Sequence, residues 1–311
     1  MCSNSASRSE SSIGRSATSA IPASPSSRRF CRCREDHVAP RPGRSRLSGM
    51  TTLAARTIEA LRAEHDALAS LADSLTPEQI EGPSGASEWT VAQVFSHLGS
   101  GAEIGLANLK AELGQAEKPG PDFNQSVWDR WNALSPQEQV SDWRGSDEAY
   151  VSALESLTPE QHDNERLNPG FLPEPVSVAG FAGLRLNEVA NHTWDVRVAV
   201  DPAAGLLDVS TGVVAEHLGG ELGFMLGWIA KADALTEPVV VEVAGTPYRI
   251  VVGDKAQFTT EALDATATFT GPLEAALRLL TGRLGPRYTA DAVQVTGNVT
   301  LDELRTVFPG F

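Results

Sequence analysis

Glu188 and His192 stand four residues apart in Glu188-Val-Ala-Asn-His192. On a helix that step places both side chains on one face, one turn apart. An imidazole and a carboxylate so placed can share one divalent cation. Asp195 follows three residues later on nearly the same face, where its carboxylate can orient an imidazole N–H. His97 falls on the inward stripe of a separate helix, and bringing it to the pair would make a His–His–Glu site. Three protein ligands are too few for a closed structural zinc site and suit a catalytic one with open positions. Each piece also has a plainer explanation. A Glu and His at this spacing are common on a solvated helix face, and a His among apolar residues is often a hydrogen-bonded core group.

His65 lies on another inward stripe, as a proton carrier or substrate contact in the same cavity or as a packed core histidine. His162 and His217 read as surface groups. Trp89, Trp128, Trp131 and Trp194 are able to wall a pocket or to pack a helical core. Metal-dependent hydrolysis would need a general base, and His65 and Asp195 are the visible candidates. Other chemistry is missing from the sequence. It has no G-x-G-x-x-G after a strand, no G-K-[ST] phosphate loop, no G-x-S-x-G elbow and no H-E-x-x-H.

Helices must position these groups. Leu53, Ile58, Leu61, His65, Leu68, Leu71 and Leu75 make one helical stripe through roughly 52–75. Thr76, Thr90, Ser135 and Thr158 each precede a Gln or Glu three residues on, the signature of a capping box. They predict helix starts, with long helices at 90–113, 135–157 and 181–199 and a connection over 114–134. A Pro/Gly-rich loop is expected over about 168–180. Four helices with short to medium connections predict a four-helix bundle over 51–204. Beyond it, one helix is expected at 210–231. Strands follow at 239–243, 248–252, 266–269 and 293–295, with helices at 271–280 and 301–308. That pattern predicts a small α+β domain over 205–311.

The chain has 311 residues and a net charge of -15. Residues 1–50 hold nine Arg, three acids, 13 Ser and all three cysteines, and read as a disordered tail or a mis-assigned start. The spacing Cys31-Arg-Cys33 offers no second pair for a metal site. The remaining 261 residues carry 16 basic and 37 acidic groups, which argues against binding nucleic acid or an anionic membrane. They contain no cysteine, so thiol chemistry there needs an added thiol.

Two stretches carry a resemblance. Glu88-Trp-Thr-Val-Ala-Gln-Val-Phe-Ser-His97-Leu and Asn187-Glu188-Val-Ala-Asn-His192-Thr-Trp-Asp195-Val-Arg-Val-Ala199 resemble the mycothiol-dependent maleylpyruvate isomerase family, part of the wider DinB-like metal-binding bundles. The resemblance runs from about 52 to 311. Gly271 to Arg283 and Val295-Thr-Gly-Asn298 look like that family's sterol-carrier-like domain. It implies a divalent metal, typically zinc, on His97, Glu188 and His192, with mycothiol as the low-molecular-weight thiol. It also implies an Arg near the substrate carboxylates, with Arg283 the nearest match and Arg287 its rival. The expected activity is cis–trans isomerisation by thiol addition to a small electrophile, a dicarboxylate in the isomerase case. The alternatives are thiol transfer to another electrophile and non-catalytic binding of a metal or lipid-like ligand. A cytoplasmic location is expected, since there is no secretory signal and the thiol partner is reducing.

Overall fold

Polar caps start most of the helices. The computed structural model describes residues 51–310, so the expectations for residues 1–50 and for Cys31 and Cys33 lie outside the described residues. Helices α1 (Leu53–Ala72), α2 (Pro77–Glu81), α3 (Val91–Glu112), α4 (Phe123–Asn132), α5 (Pro136–Glu155) and α6 (Pro159–Asn164) come first. Strands β1 (Arg166–Leu167) and β2 (Val176–Ser177) form a small antiparallel pair before α7 (Val178–Val200). Reciprocal capping boxes close the starts of α2, α3, α5 and α6, satisfying amide donors that the first turn leaves open.

The long helices α1, α3, α5 and α7 pack on one another: α3 lies against α5 and α7, and α1 against α7 and α5. Leu61, Leu68, Leu98, Leu154 and Leu186 are fully buried between them. Each such side chain contributes about 1.5–3 kcal/mol. Shared burial therefore outweighs helix propensity in holding these axes in place. Helix α7 is buried on nearly all sides, with α1, α3 and α8 (Asp208–Leu218) packed against it.

A mixed α+β part follows this mostly helical region. Strands β3 (Val239–Val243), β4 (Arg249–Val252), β5 (Ala256–Thr259), β6 (Ala267–Thr270) and β7 (Gln294–Gly297) form one sheet in the order β5-β4-β3-β6-β7. Only β3 and β6 run parallel. Val239, Val241 and Val243 alternate with more exposed residues, as in a sheet with one covered face. Helices α9 (Leu226–Ile229), α10 (Leu273–Leu280) and α11 (Leu301–Val307) complete the part, and α10 packs on α8. Among the described residues, no helix is long and apolar enough to cross a membrane.

Three local expectations need correction. The connection over 114–134 contains α4, because Val127 and Trp131, one turn apart, bury themselves against α3. The helix expected over 210–231 breaks after Leu218. Gly219 and Gly220 lower the local helix propensity, and the chain continues through a single 3-10 turn into the short α9. Strand β5 was not expected. Its short Ala-Gln-Phe-Thr run carries little apolar signal, and pairing with β4 creates it.

Candidate metal centre

The Thr90 capping box starts α3 and places His97 two turns in. Glu188 and His192 lie in the middle of α7. The packing of α3 on α7 brings the three together. His97 Nε2 is 3.1 Å from Glu188 Oε2, and His192 Nε2 is 3.7 Å from the same oxygen. The two imidazole rings meet edge to face with centroids 4.7 Å apart. One donor atom from each residue fits within a 4.8 Å spread. Two donors about 2.0–2.1 Å from one ion at a tetrahedral angle stand roughly 3.4 Å apart, and the two separations from Glu188 Oε2 lie close to that value.

The tautomer of His192 fits as well. Its Nδ1 lies 2.8 Å from Asp195 Oδ2. An ionised carboxylate can only accept, so Nδ1 carries the hydrogen and Nε2 turns a lone pair toward Glu188 and His97. Asp195 is fully buried. Burial alone would raise its carboxyl, but the His192 hydrogen bond and the Arg283 charge hold it below the ordinary carboxylate range. Arg283 Nη2 donates to Asp195 Oδ2 at 2.8 Å, its Nε donates to Oδ1 at 3.1 Å, and its Nη1 reaches the Thr281 carbonyl at 3.2 Å.

Glu188 is under the same opposing influences. Surrounding protein disfavours its charge, but the His97 hydrogen bond with the His192, His97 and Arg283 charges brings its carboxyl down to about 2. It is set deep among protein atoms yet keeps 42% of its side-chain surface open, against 37% for His97 and 11% for His192. The cluster is therefore a recess with a mouth. For His192, burial pushes the imidazolium down, so the neutral ring that ligation requires is the favoured form.

Trp89 forms a wall of this recess. Its ring lies nearly parallel to His192, with centroids 5.7 Å apart, and tilts against His97 at 5.1 Å. The loop that carries it is tied to α7 by a hydrogen bond from Gly85 N to the Asp195 carbonyl at 2.7 Å. A side chain at Gly85 would meet Val198 at 2.6 Å and the Asp195 backbone at 2.9 Å, so glycine is required for this close approach. Glu88, just before Trp89, takes a left-handed backbone, φ 71°, and Trp89 keeps an exposed edge.

The remaining expected residues fall elsewhere. His65 is buried, donates from Nδ1 to Asp147 Oδ2 at 2.8 Å, and stacks on Trp143. It is not part of the three-residue cluster. Arg287 is exposed over the Tyr288 ring. Trp131 and Trp194 are core groups, and Trp128 is exposed. His162 is half-buried. His217, expected at the surface, is buried instead. It packs against Gly183, where a Cβ would lie 2.6 Å from the imidazole, and its Nε2 meets Thr57 Oγ1 at 2.8 Å. The glycine makes the room, a long-range feature with no local signal. Sequence reasoning also missed the buried Asp147–Arg185 pair at 2.6 Å, because its partners lie on separate helices.

Residues 61–197 match the family model of the mycothiol maleylpyruvate isomerase N-terminal domain. A crystal structure of the mycothiol-dependent maleylpyruvate isomerase is similar in fold, with a TM-score of 0.57 at 14% identity, covering 84% of this chain and 100% of that one. A histidine-to-alanine mutant of that isomerase is similar at the same TM-score and coverage, with 13% identity. No curated protein matches the chain. At low sequence identity, the domain match and both structural neighbours point to the mycothiol-dependent maleylpyruvate isomerase family.

Proposed function

We propose that this chain is a divalent-metal-dependent enzyme that uses mycothiol, acting as an isomerase on a small cis-unsaturated dicarboxylate of the maleylpyruvate type. The observation that carries the proposal is the convergence of His97, Glu188 and His192, with Asp195 fixing the His192 tautomer. In this reading the chain is a DinB-like four-helix bundle over 51–204 joined to a sterol-carrier-like domain over 205–311. Zinc is the proposed ion, because two imidazoles and one carboxylate with open positions suit it. A cytoplasmic setting, where a low-molecular-weight thiol stays reduced, belongs to the same proposal.

A bound divalent ion would supply the positive charge that lowers the pKa of a thiol. The described residues contain no cysteine, so the sulfur comes from the cofactor. In the isomerase reaction the thiolate adds to one carbon of the double bond. The resulting single bond rotates, and loss of the thiolate restores the double bond in trans. His97, Glu188 and His192 bind and orient. Asp195 keeps the proton on His192 Nδ1. Arg283 keeps Asp195 ionised, and its charge, which also acts on Glu188, serves in this reading to attract a substrate carboxylate. Trp89 covers the side of the recess and limits access of water. His65 is held by Asp147, and Arg287 extends over Tyr288, so neither is assigned a chemical step.

The test is product analysis with purified protein, zinc, mycothiol and maleylpyruvate. An isomerase forms fumarylpyruvate and leaves the free thiol concentration unchanged. Stoichiometric thiol consumption would replace this reading with a thiol transferase. Metal retention without turnover of either kind would replace it with a binding protein.

A further inference from the structure

The four long helices share one buried polar junction beside the candidate centre. Arg185 of α7 lies one turn before Glu188 and is buried. Its Nη2 donates to the Leu98 carbonyl of α3 at 2.8 Å and to Asp147 Oδ1 of α5 at 2.6 Å. Asp147 Oδ2 accepts from His65 of α1. The Tyr150 ring of α5 lies beneath the guanidinium at 5.8 Å. Two adjacent bridges thus join the same pair of helices. Arg185 holds the main chain at Leu98, and Glu188, three residues on, meets His97, the residue just before it.

An apolar layer would be the cheaper way to pack these helices. A buried ion pair recovers little or none of its desolvation, and replacing one by apolar groups is often neutral or stabilising. Arg185 Nε also has no hydrogen-bond partner. Apolar ridges and grooves, however, fix axial register less sharply, because neighbouring registers of two helices bury similar apolar area. A charged guanidinium nitrogen, Nη2, shared between a single carbonyl of α3 and a carboxylate of α5 does fix it. The space around that guanidinium is shaped for it: a Cβ at Gly101 would come within 3.1 Å of Arg185 Nη1.

We propose that Arg185, braced by Asp147, is a positioning residue that sets the axial register of α3 against α7 and so the separation of His97 from Glu188 and His192. The proposal rests on the reading of those three residues as metal ligands. It assigns the junction to the affinity and geometry of the metal centre, beyond any part in stability.

The test is titration of the full chain with Co2+, followed by its visible absorption bands, alongside thermal unfolding of the metal-free protein. The double variant Arg185→Met/Asp147→Asn removes both charges and keeps an acceptor for His65. It is expected to unfold near the wild-type temperature, to bind Co2+ about tenfold more weakly, at the lower end for residues that orient ligands, and to show altered band intensity. Arg185→Lys keeps the charge on Asp147 without the planar fork and is expected to lie between the two. Wild-type affinity and spectrum in either folded variant would overturn the proposal, as would a loss of stability with unchanged Co2+ bands. Absence of Co2+ bands in the wild type would instead overturn the metal reading on which the proposal stands.

Discussion

His97 lies at the mouth of the recess, so its truncation opens no cavity in the helical core. His97→Ala should therefore unfold near the wild-type temperature while losing most bound metal and all thiol chemistry. Elemental analysis of both proteins decides this, and equal metal content would reject His97 as a ligand. A second prediction concerns His217. Burial pushes its imidazolium down to about 4, against the nearby Glu216 and Glu221 charges that favour protonation and with the Arg56 charge that opposes it. The unfolded chain takes up this proton near 6.5 and the folded one only near 4, so stability is complete above 6.5 and falls as pH drops through that window. Between pH 7 and pH 5 the loss from this residue is about 2 kcal/mol. His217→Gln, which keeps a donor for Thr57, should flatten that part of the urea-unfolding profile. An unchanged slope would remove His217 as its cause.

Helix α3 owes its closeness to its neighbours to small residues. A Cβ at Gly99 would lie 2.2 Å from the Trp131 ring, and one at Gly105 would lie 2.8 Å from Tyr150. Gly99→Ala gains helix propensity but must displace α4. Overpacking of this kind costs about 1–3 kcal/mol and outweighs the propensity gain of about 1 kcal/mol. A lower melting temperature is expected, and a higher one would show that α4 yields freely. Much at this scale was legible in the sequence. The capping boxes at Thr76, Thr90, Ser135 and Thr158 set helix starts within a residue, because a cap is chemistry between neighbours. The α4 helix and β5 were not legible. Val127 and Trp131 act through α3, and β5 acts through β4, so the energy that forms them is non-local.

Across the molecule, the helical and α+β parts meet at the candidate centre. Arg283 holds Asp195, and Thr281 Oγ1 donates to Asn191 Oδ1 at 2.9 Å. Trp194 Nε1 donates to the Ala204 carbonyl at 2.8 Å, and its ring lies under Arg278. Arg283→Ala would leave the fully buried, ionised Asp195 with the neutral His192 ring as its one side-chain partner among the described residues. Breaking a buried pair from one side costs about 3 kcal/mol. Loss of ring orientation at His192 should also weaken metal binding about tenfold or more. Calorimetric metal titration of the folded variant, with denaturant unfolding beside it, checks both. Metal affinity equal to wild type would show that Asp195 orients His192 unaided.

The sequence by itself determined what lies within a few residues of its cause. It set the helix starts at the four capping boxes, the Glu188–His192 pair on one face, the place of Asp195 beside His192 and the lack of any cysteine after residue 50. Tertiary structure alone decided which distant groups meet. It brought His97 to Glu188, turned Trp89 over both imidazoles, engaged Arg283 with Asp195 and hid His217 behind Gly183. The reason is range. Caps and i,i+4 pairs take their energy from the local chain, whereas the meeting of α3 with α7 comes from apolar area and buried polar links spread over the whole core.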